Sequence, residues 1–255
     1  MSKKSNFHPC LLTGYIFLLI LANKQFDMPN LFSDFFQLFY PNTCVSCGQR
    51  LVTNEQIICT HCLADLPRTN FQNQHDNPVS QIFWGRVNIQ NATALFRFQK
   101  GSRFQELLHL LKYKGRKDVG VELGRQLGFE LKKSDLYKNI EVVIPVPLHP
   151  KRQHKRGYNQ SECIANGIAE SMGIAVQANN VVRNVSTQTQ TKKSRIERWQ
   201  NVESIFELKE PQKLENKNAL LVDDVVTTGA TLEACAQSII NTEGIKLSIA
   251  ALAMA

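Results

Sequence analysis

From residue 87 onward, short apolar runs alternate with stretches whose apolar positions recur every three to four residues, a succession of strand and helix signals. Residues 87–98 read as a strand. Phe104, Leu107, Leu108 and Leu111 fall at i, i+3, i+4 and i+7 and predict a helix, and a second helix is predicted over about 119–133. Residues 141–146 form a short β-branched run ended by Pro145 and Pro147. Ser161 is placed to cap a helix in which Ile164, Ile168 and Met172 share one face and which Gly173 ends. Residues 218–222 predict a buried strand, Leu232, Cys235, Ala236, Ile239 and Ile240 an amphipathic helix, and residues 246–254 a final strand. Strands separated by helices imply an α/β fold, with a parallel sheet covered on both faces.

Upstream of residue 87 the pattern changes. Leu31, Phe32, Phe35, Phe36, Leu38 and Phe39 make one apolar face, with Asp34 and Gln37 off it, and predict a short helix. Residues 69–80 are rich in Asn and Gln, lack periodicity and read as a linker. Near the start, Lys3 and Lys4 precede an apolar run over 11–22 broken by Thr13 and Gly14. Two readings fit this run: the short core of a signal peptide, or an upstream extension of the frame, with translation beginning at Met28. No convincing small-x-small cleavage site follows and the downstream thiols expect a reducing compartment; the second is preferred, because the amphipathic stretch from Leu31 to Tyr40 leading into Cys44 reads as a natural beginning. The expected organisation is a non-native extension or signal-like segment over 1–27, a short helix and ribbon-like module over 28–67, a linker over 68–86 and the α/β domain over 87–255. No membrane span is expected, and the reading places the protein in the cytoplasm.

With 255 residues, 43% hydrophobic and 20% charged, the chain can bury a full core, which excludes collagen-like and wholly disordered classes. Residues 100–160 hold 14 basic and 6 acidic residues, a local +8 that equals the net charge of the whole chain. A basic field this concentrated attracts phosphates, nucleotides or nucleic acid, although a solvated surface has the same composition. Lys112, Tyr113 and Lys114, with Phe104, offer the basic and aromatic mixture that single-stranded DNA uses, while Phe104 is equally a core residue.

Four of the seven cysteines are arranged as Cys44-x2-Cys47-x11-Cys59-x2-Cys62. Two such knuckles can supply four thiolates to a tetrahedral Zn2+, a closed site that serves folding and not chemistry. Gly48 allows the tight turn after the first knuckle. His61 is an alternative ligand, and a redox pair an alternative use, disfavoured because neither pair opens a helix after a strand. Cys163 and Cys235 fall in helical patterns and read as small buried hydrophobes.

The most specific segment lies between the strand at 218–222 and the helix after it. Two carboxylates, Asp223 and Asp224, stand where the strand is expected to end, at the edge where open α/β sheets bind ligands. Thr227, Thr228, Gly229, Ala230 and Thr231 follow, small residues whose backbone amides can wrap a phosphate at a helix N-terminus. The carboxylates suit sugar hydroxyls and a hydrated Mg2+. It is not a P-loop, because no Gly-Lys-Ser/Thr follows at the required spacing.

This segment resembles the signature of type I phosphoribosyltransferases, which bind 5-phosphoribosyl 1-pyrophosphate (PRPP). The resemblance implies that Asp223 and Asp224 hold the ribose hydroxyls and the metal region, and that residues 227–231 hold the 5′-phosphate. Hypoxanthine-type members carry an Asp where Thr227 stands, which argues against simple purine salvage. Further segments narrow the likeness: Leu111-Lys112-Tyr113-Lys114-Gly115, Val146-Pro147-Leu148 with Arg156-Gly157-Tyr158-Asn159-Gln160, and Arg183 with Thr189-Gln190-Thr191, Arg198, Asn201 and Phe206. With the cysteine quartet they resemble the ComF family, over nearly all of the chain after Met28. Such proteins join a zinc-ribbon-like module to a phosphoribosyltransferase-like domain, and some are linked to natural transformation, where they act on incoming single-stranded DNA. The implied partners are PRPP with Mg2+, single-stranded DNA and DNA-processing proteins. Lys151, Arg152, Lys155 and Arg156, in the loop after Pro147, are candidate donors to the pyrophosphate, the alternative being a flexible basic loop that touches nothing, and residues 183–201 have the aperiodic polar character of a lid or, equally, of a mobile connector. The acceptor and the general base stay unassigned.

Overall fold

The computed structural model describes residues 41–184 and 205–255. The predicted helix over 31–40, the apolar run at 11–22 and most of the lid-like stretch, including Thr189, Gln190, Thr191, Arg198 and Asn201, lie outside the described residues. From Thr43 onward the chain packs as one unit.

Its centre is a five-stranded, wholly parallel sheet. The strands are β1 (Ala92–Arg97), β2 (Val142–Pro145), β3 (Ala175–Val176), β6 (Asn218–Val226) and β7 (Lys246–Met254), in the order β1-β7-β6-β2-β3. β4 (Val181–Arg183) and β5 (Phe206–Leu208) form a separate antiparallel pair. The two-residue period of the strands sorts their side chains cleanly. Val143, Leu220, Val222, Ala250 and Leu252 join the core on one face, and Val142, Ile144, Ala219, Leu221, Ile249 and Ala251 that on the other.

The first face carries α3 (Arg103–Tyr113), α4 (Lys117–Lys133) and α6 (Gln160–Met172), through Leu107, Leu111, Leu123, Leu127, Ile164 and Ile168 among others. Helices α4 and α6 touch through glycines: a Cβ on Gly124 would lie 2.2 Å from the Ile164 carbonyl oxygen, and one on Gly167 2.0 Å from that of Val121. The second face is covered by α2 (Pro78–Phe83) and α7 (Ala230–Gln237), through Val79, Phe83, Leu232, Cys235 and Ala236.

The structure departs from the sequence-based expectations at several boundaries. Strand β1 begins at Ala92 and not at 87, because residues 84–88 turn back on α2: Gly85 has φ +69° and the Val87 amide donates to the Phe83 carbonyl at 3.2 Å. The cap of α6 is Asn159, whose side chain accepts from the Ser161 amide, so the Ser161 hydroxyl is free for another use. Strand β6 continues past 222 to Val226, and Ile239 and Ile240 lie beyond the end of α7.

Residues 68–86, expected as a linker, are packed structure. Asn77 caps α2 and its amide donates to the Ala92 carbonyl at 2.9 Å; Phe71, Val79 and Phe83 are buried. The segment is polar because its amides and hydroxyls satisfy backbone groups, which gives no periodicity to read. The cysteine region is likewise joined to the sheet: Cys44, Ile58, Cys59, Cys62 and Leu66 belong to the same apolar cluster as Phe96 and Phe104.

Candidate functional site

The four cysteines of the two knuckles come together. Their sulfurs all lie within 4.8 Å of one another, with Cys47 Sγ and Cys59 Sγ 3.7 Å apart. A tetrahedron with metal–sulfur bonds of about 2.3 Å has edges of about 3.8 Å, so the spacing fits a zinc ion. The fold of this region comes from short local elements: Gly48 turns the chain at φ +74°, and Cys59 caps α1 (Thr60–Ala64), which carries Cys62. Backbone amides point at the sulfurs, Cys59 N to Cys44 Sγ at 3.3 Å and Cys62 N to Cys59 Sγ at 3.4 Å. Burial works to raise the Cys44 thiol, but amide donors from Cys59, Cys47 and Ser46 outweigh it and bring the pKa down to about 6. The Cys62 thiol is pushed up to about 12 by burial. Arg103, at the start of α3, sits 3.6 Å from Cys62 Sγ and pairs with Asp65 at 2.9 Å, a positive charge beside a cluster whose thiolates would outnumber the charge of one Zn2+. His61 is exposed, while all four thiols converge on one point.

The second constellation lies at the carboxyl ends of β2 and β6. The chain leaves β2 for β3 on one side of the sheet and later returns on its other side as β6, so the junction between β2 and β6 is a topological switch point, where open sheets hold ligands. Pairing between the two strands stops at Pro145 and Val222, while β6 runs on beside β7 to Val226. Asp223 and Asp224 are therefore carried on a strand that continues after one neighbour has ended. The Ser161 hydroxyl donates to Asp223 Oδ1 at 2.9 Å, and the Asp224 amide donates to the same oxygen at 2.8 Å. Burial, followed by the charge of Asp224, pushes the Asp223 carboxyl up to about 7.

Lys112, near the end of α3, places Nζ 2.9 Å from Asp224 Oδ2, both side chains mostly buried. Beyond this ion pair opens a cleft of about 540 Å³ lined by Lys112, Tyr113, Gly115, Arg152, Lys155 and Arg156. The basic residues after Pro147, expected on a loop, form the helix α5 (Pro150–Arg156), opened by His149 as cap and by Pro150 at its first turn. Arg156 donates to Gln160 at 2.5 Å and lies over the Tyr113 ring, 5.4 Å from its centre. The Tyr158 hydroxyl donates to the Leu111 carbonyl, which ties the segment after α5 to the end of α3. Lys151 is exposed and does not line the cleft. Phe104 is fully buried and takes no part in a stacking surface, whereas Tyr113 is 62% exposed.

After β6, Thr227 and Thr228 are exposed, and Gly229 has φ +74° and stands at the N-cap of α7, followed by Ala230 and Thr231. A Cβ on Gly229 would come within 2.5 Å of Ile82 Cγ2 and 3.0 Å of Phe83 Cε1, so this glycine is required by the packing of α2 behind the turn as well as by its backbone angle. Asp223, Asp224 and this turn were legible from the sequence. Ser161 as the partner of Asp223, Lys112 as that of Asp224 and Arg103 beside the cysteines were not, since each contact spans tens of residues and leaves no local pattern.

A parallel α/β sheet with two carboxylates at its switch point, a small-residue turn behind them and a four-thiol cluster packed on one face define the class: a parallel α/β domain joined to a zinc-ribbon-like four-cysteine module. No protein-family model matches the chain. It is 31% identical over 134 residues to the DNA utilization protein YhgH of Salmonella typhimurium, an alignment covering 51% of this chain and 58% of that protein. It is 37% identical over 105 residues to Competence protein F of Haemophilus influenzae, covering 40% of this chain and 45% of that protein. It is 25% identical over 228 residues to Competence protein ComFC of Bacillus subtilis, 88% of each. Among solved structures, a glutamine PRPP amidotransferase from B. subtilis aligns over 55% of this chain and 30% of its own, at 21% identity and a TM-score of 0.39. The chain is thus similar, at moderate identity, to proteins named Competence protein F, ComFC and YhgH, and it spans little more than half the length of the YhgH relatives it matches. Among the described residues no helix is long and apolar enough to cross a membrane.

Proposed function

We propose that this competence-related protein binds PRPP with Mg2+ and transfers its phosphoribosyl group to an acceptor. The observation that carries the reading is the Lys112–Asp224 ion pair, because it joins the acidic switch point to the basic cleft. In this reading the ribose hydroxyls meet Asp223 and Asp224, the 5′-phosphate meets the amides of residues 227–231, and the pyrophosphate faces Lys112, Arg152, Lys155 and Arg156. Asp223 and Asp224 would hold the Mg2+ that comes with PRPP, and that ion would supply charge neutralisation to the pyrophosphate. Transfer breaks the bond between ribose C1 and the pyrophosphate oxygen and forms one between C1 and the acceptor, through an oxocarbenium-like state. Cations facing the leaving group stabilise the charge that develops there.

Calorimetry with PRPP and Mg2+ tests the binding. Asp224→Asn should raise the dissociation constant at least tenfold, since about 1.4 kcal/mol is the scale of one charged hydrogen bond. Wild-type protein that does not bind PRPP would overturn the reading. Release of labelled pyrophosphate in a screen of acceptors tests the transfer.

A second reading, PRPP sensing or single-stranded DNA binding without turnover, is favoured by the exposed Tyr113 ring between His109 and Arg156 and by the names of the relatives. Binding should then fall steeply with salt, and Lys155→Ala should weaken it alike for all sequences. Lys112 is unsuited to that test, because its removal also strips Asp224 of its partner.

A further inference from the structure

The turn between β6 and α7 is held from behind by Arg86, which follows α2 in the segment expected to be a linker. Its Nη1 donates to the Thr228 carbonyl at 2.8 Å and to the Ile82 carbonyl at 3.0 Å, and its Nη2 pairs with the Glu233 carboxylate. In a trans peptide the C=O and the following N–H point in opposite directions, and the structure has no cis peptide bonds among its described residues. Fixing the Thr228 oxygen toward Arg86 therefore turns the Gly229 amide away from α2, to the open side of the turn.

Glu233 bears on the same point. A carboxylate in the first turn of a helix favours the helix through its dipole, and for the same reason it opposes an anion arriving at that end. The Arg86 guanidinium cancels that charge. Both side chains are partly solvent-exposed, 36% for Arg86 and 21% for Glu233, so the pair adds little to global stability and its effect is local.

We propose that Arg86 is a positioning residue for the anion-binding turn: it sets the Thr228–Gly229 peptide so that the amide faces the ligand, and it neutralises Glu233, which would otherwise repel a phosphate. The proposal rests on the reading of residues 227–231 as the 5′-phosphate cradle.

The test uses ribose 5-phosphate and inorganic pyrophosphate with Mg2+ as separate probes, in calorimetry on the full chain. Arg86→Ala should weaken ribose 5-phosphate about tenfold, the scale of one charged hydrogen bond, and leave pyrophosphate within about twofold. Adding Glu233→Gln to Arg86→Ala should recover part of the lost affinity, which a merely structural role would not produce. Wild-type affinity for ribose 5-phosphate in Arg86→Ala, or an equal loss of both probes, would overturn the proposal.

A ligand-free measurement separates it from the reading beneath it. The Glu233 amide donates to the Gly229 carbonyl at 2.8 Å, and its hydrogen exchange should quicken at least tenfold in Arg86→Ala while exchange in β7 is unchanged. If the wild type binds neither probe, the PRPP reading falls; faster exchange then preserves the positioning by Arg86, and unchanged exchange removes that too.

Discussion

Asp223→Asn should make the protein more stable at neutral and alkaline pH. The Asn keeps an oxygen able to accept from the Ser161 hydroxyl and the Asp224 amide, and it removes a buried charge beside Asp224. The carboxyl titrates near 7 in the folded protein against an ordinary value of 3.8. The full shift corresponds to about 4 kcal/mol, at about 1.4 kcal/mol per unit. Partial solvent access reduces this, to about 2 kcal/mol once the carboxylate is ionised. The sign follows from proton counting: between pH 4 and 7 the folded state holds a proton that the unfolded chain has released, so wild-type stability falls as pH rises through that window. The variant does not titrate there. The stability gap should therefore be near zero at pH 4, open between 4 and 7 and level off above, reaching roughly 4–8 °C in Tm at pH 8. Urea titrations at several pH values measure it. A gap independent of pH, or a variant less stable than wild type at pH 8, would refute the reasoning.

Zinc should be found at one ion per chain in protein purified under reducing conditions, and Cys47→Ser should lose it; because the cysteines share a cluster with Phe96 and Phe104, thermal unfolding of that variant should remain a single transition at lower temperature, and a separate early transition would show an independent module. Gly167→Ala should cost about 3 kcal/mol or more in urea titrations, because its Cβ meets the Val121 backbone at 2.0 Å, whereas Gly173→Ala, with open space around it and only a φ of +74° to strain, should cost about 1 kcal/mol. Gly229→Ala should lower Tm through its clash with Ile82 Cγ2, and Ile82→Ala combined with it should recover part of the loss; no recovery would mean that the backbone angle alone decides.

Helices α3, α4 and α6 were readable because each buries one face, so burial imposes a period on the residues, and strands β2, β6 and β7 because both faces of the sheet are covered, which leaves short continuous apolar runs. Asp223 and Asp224 stood out because two adjacent carboxylates follow a buried apolar run, although β6 carries them on to Val226 and does not end before them. The cap of α6 was misread because Asn159 and Ser161 are both good cap residues and only the chain's path decides between them. The segment over 68–86 was misread because its polar residues serve the backbone of distant elements, as Asn77 does for Ala92 and Arg86 for Thr228, 142 positions away. Lys112 was visible as a charge, but its partner was fixed by the packing of α3 on the sheet, a tertiary fact with no trace in its neighbours.

The position of β7 bears on how the chain reaches its fold during synthesis. It is the last strand of the sheet to be made, yet it lies between β6 and β1 and pairs with both. A nascent chain that has not yet passed residue 246 therefore exposes two open strand edges, one of them waiting since β1 emerged about 150 residues earlier. Such edges recruit strands from other chains, and pairings across so great a sequence separation form slowly. A ribosome stalled before β7 would thus present an aggregation-prone intermediate, not a smaller folded domain. Loss of β7 should abolish soluble expression, whereas trimming an edge strand such as β3 should only weaken it.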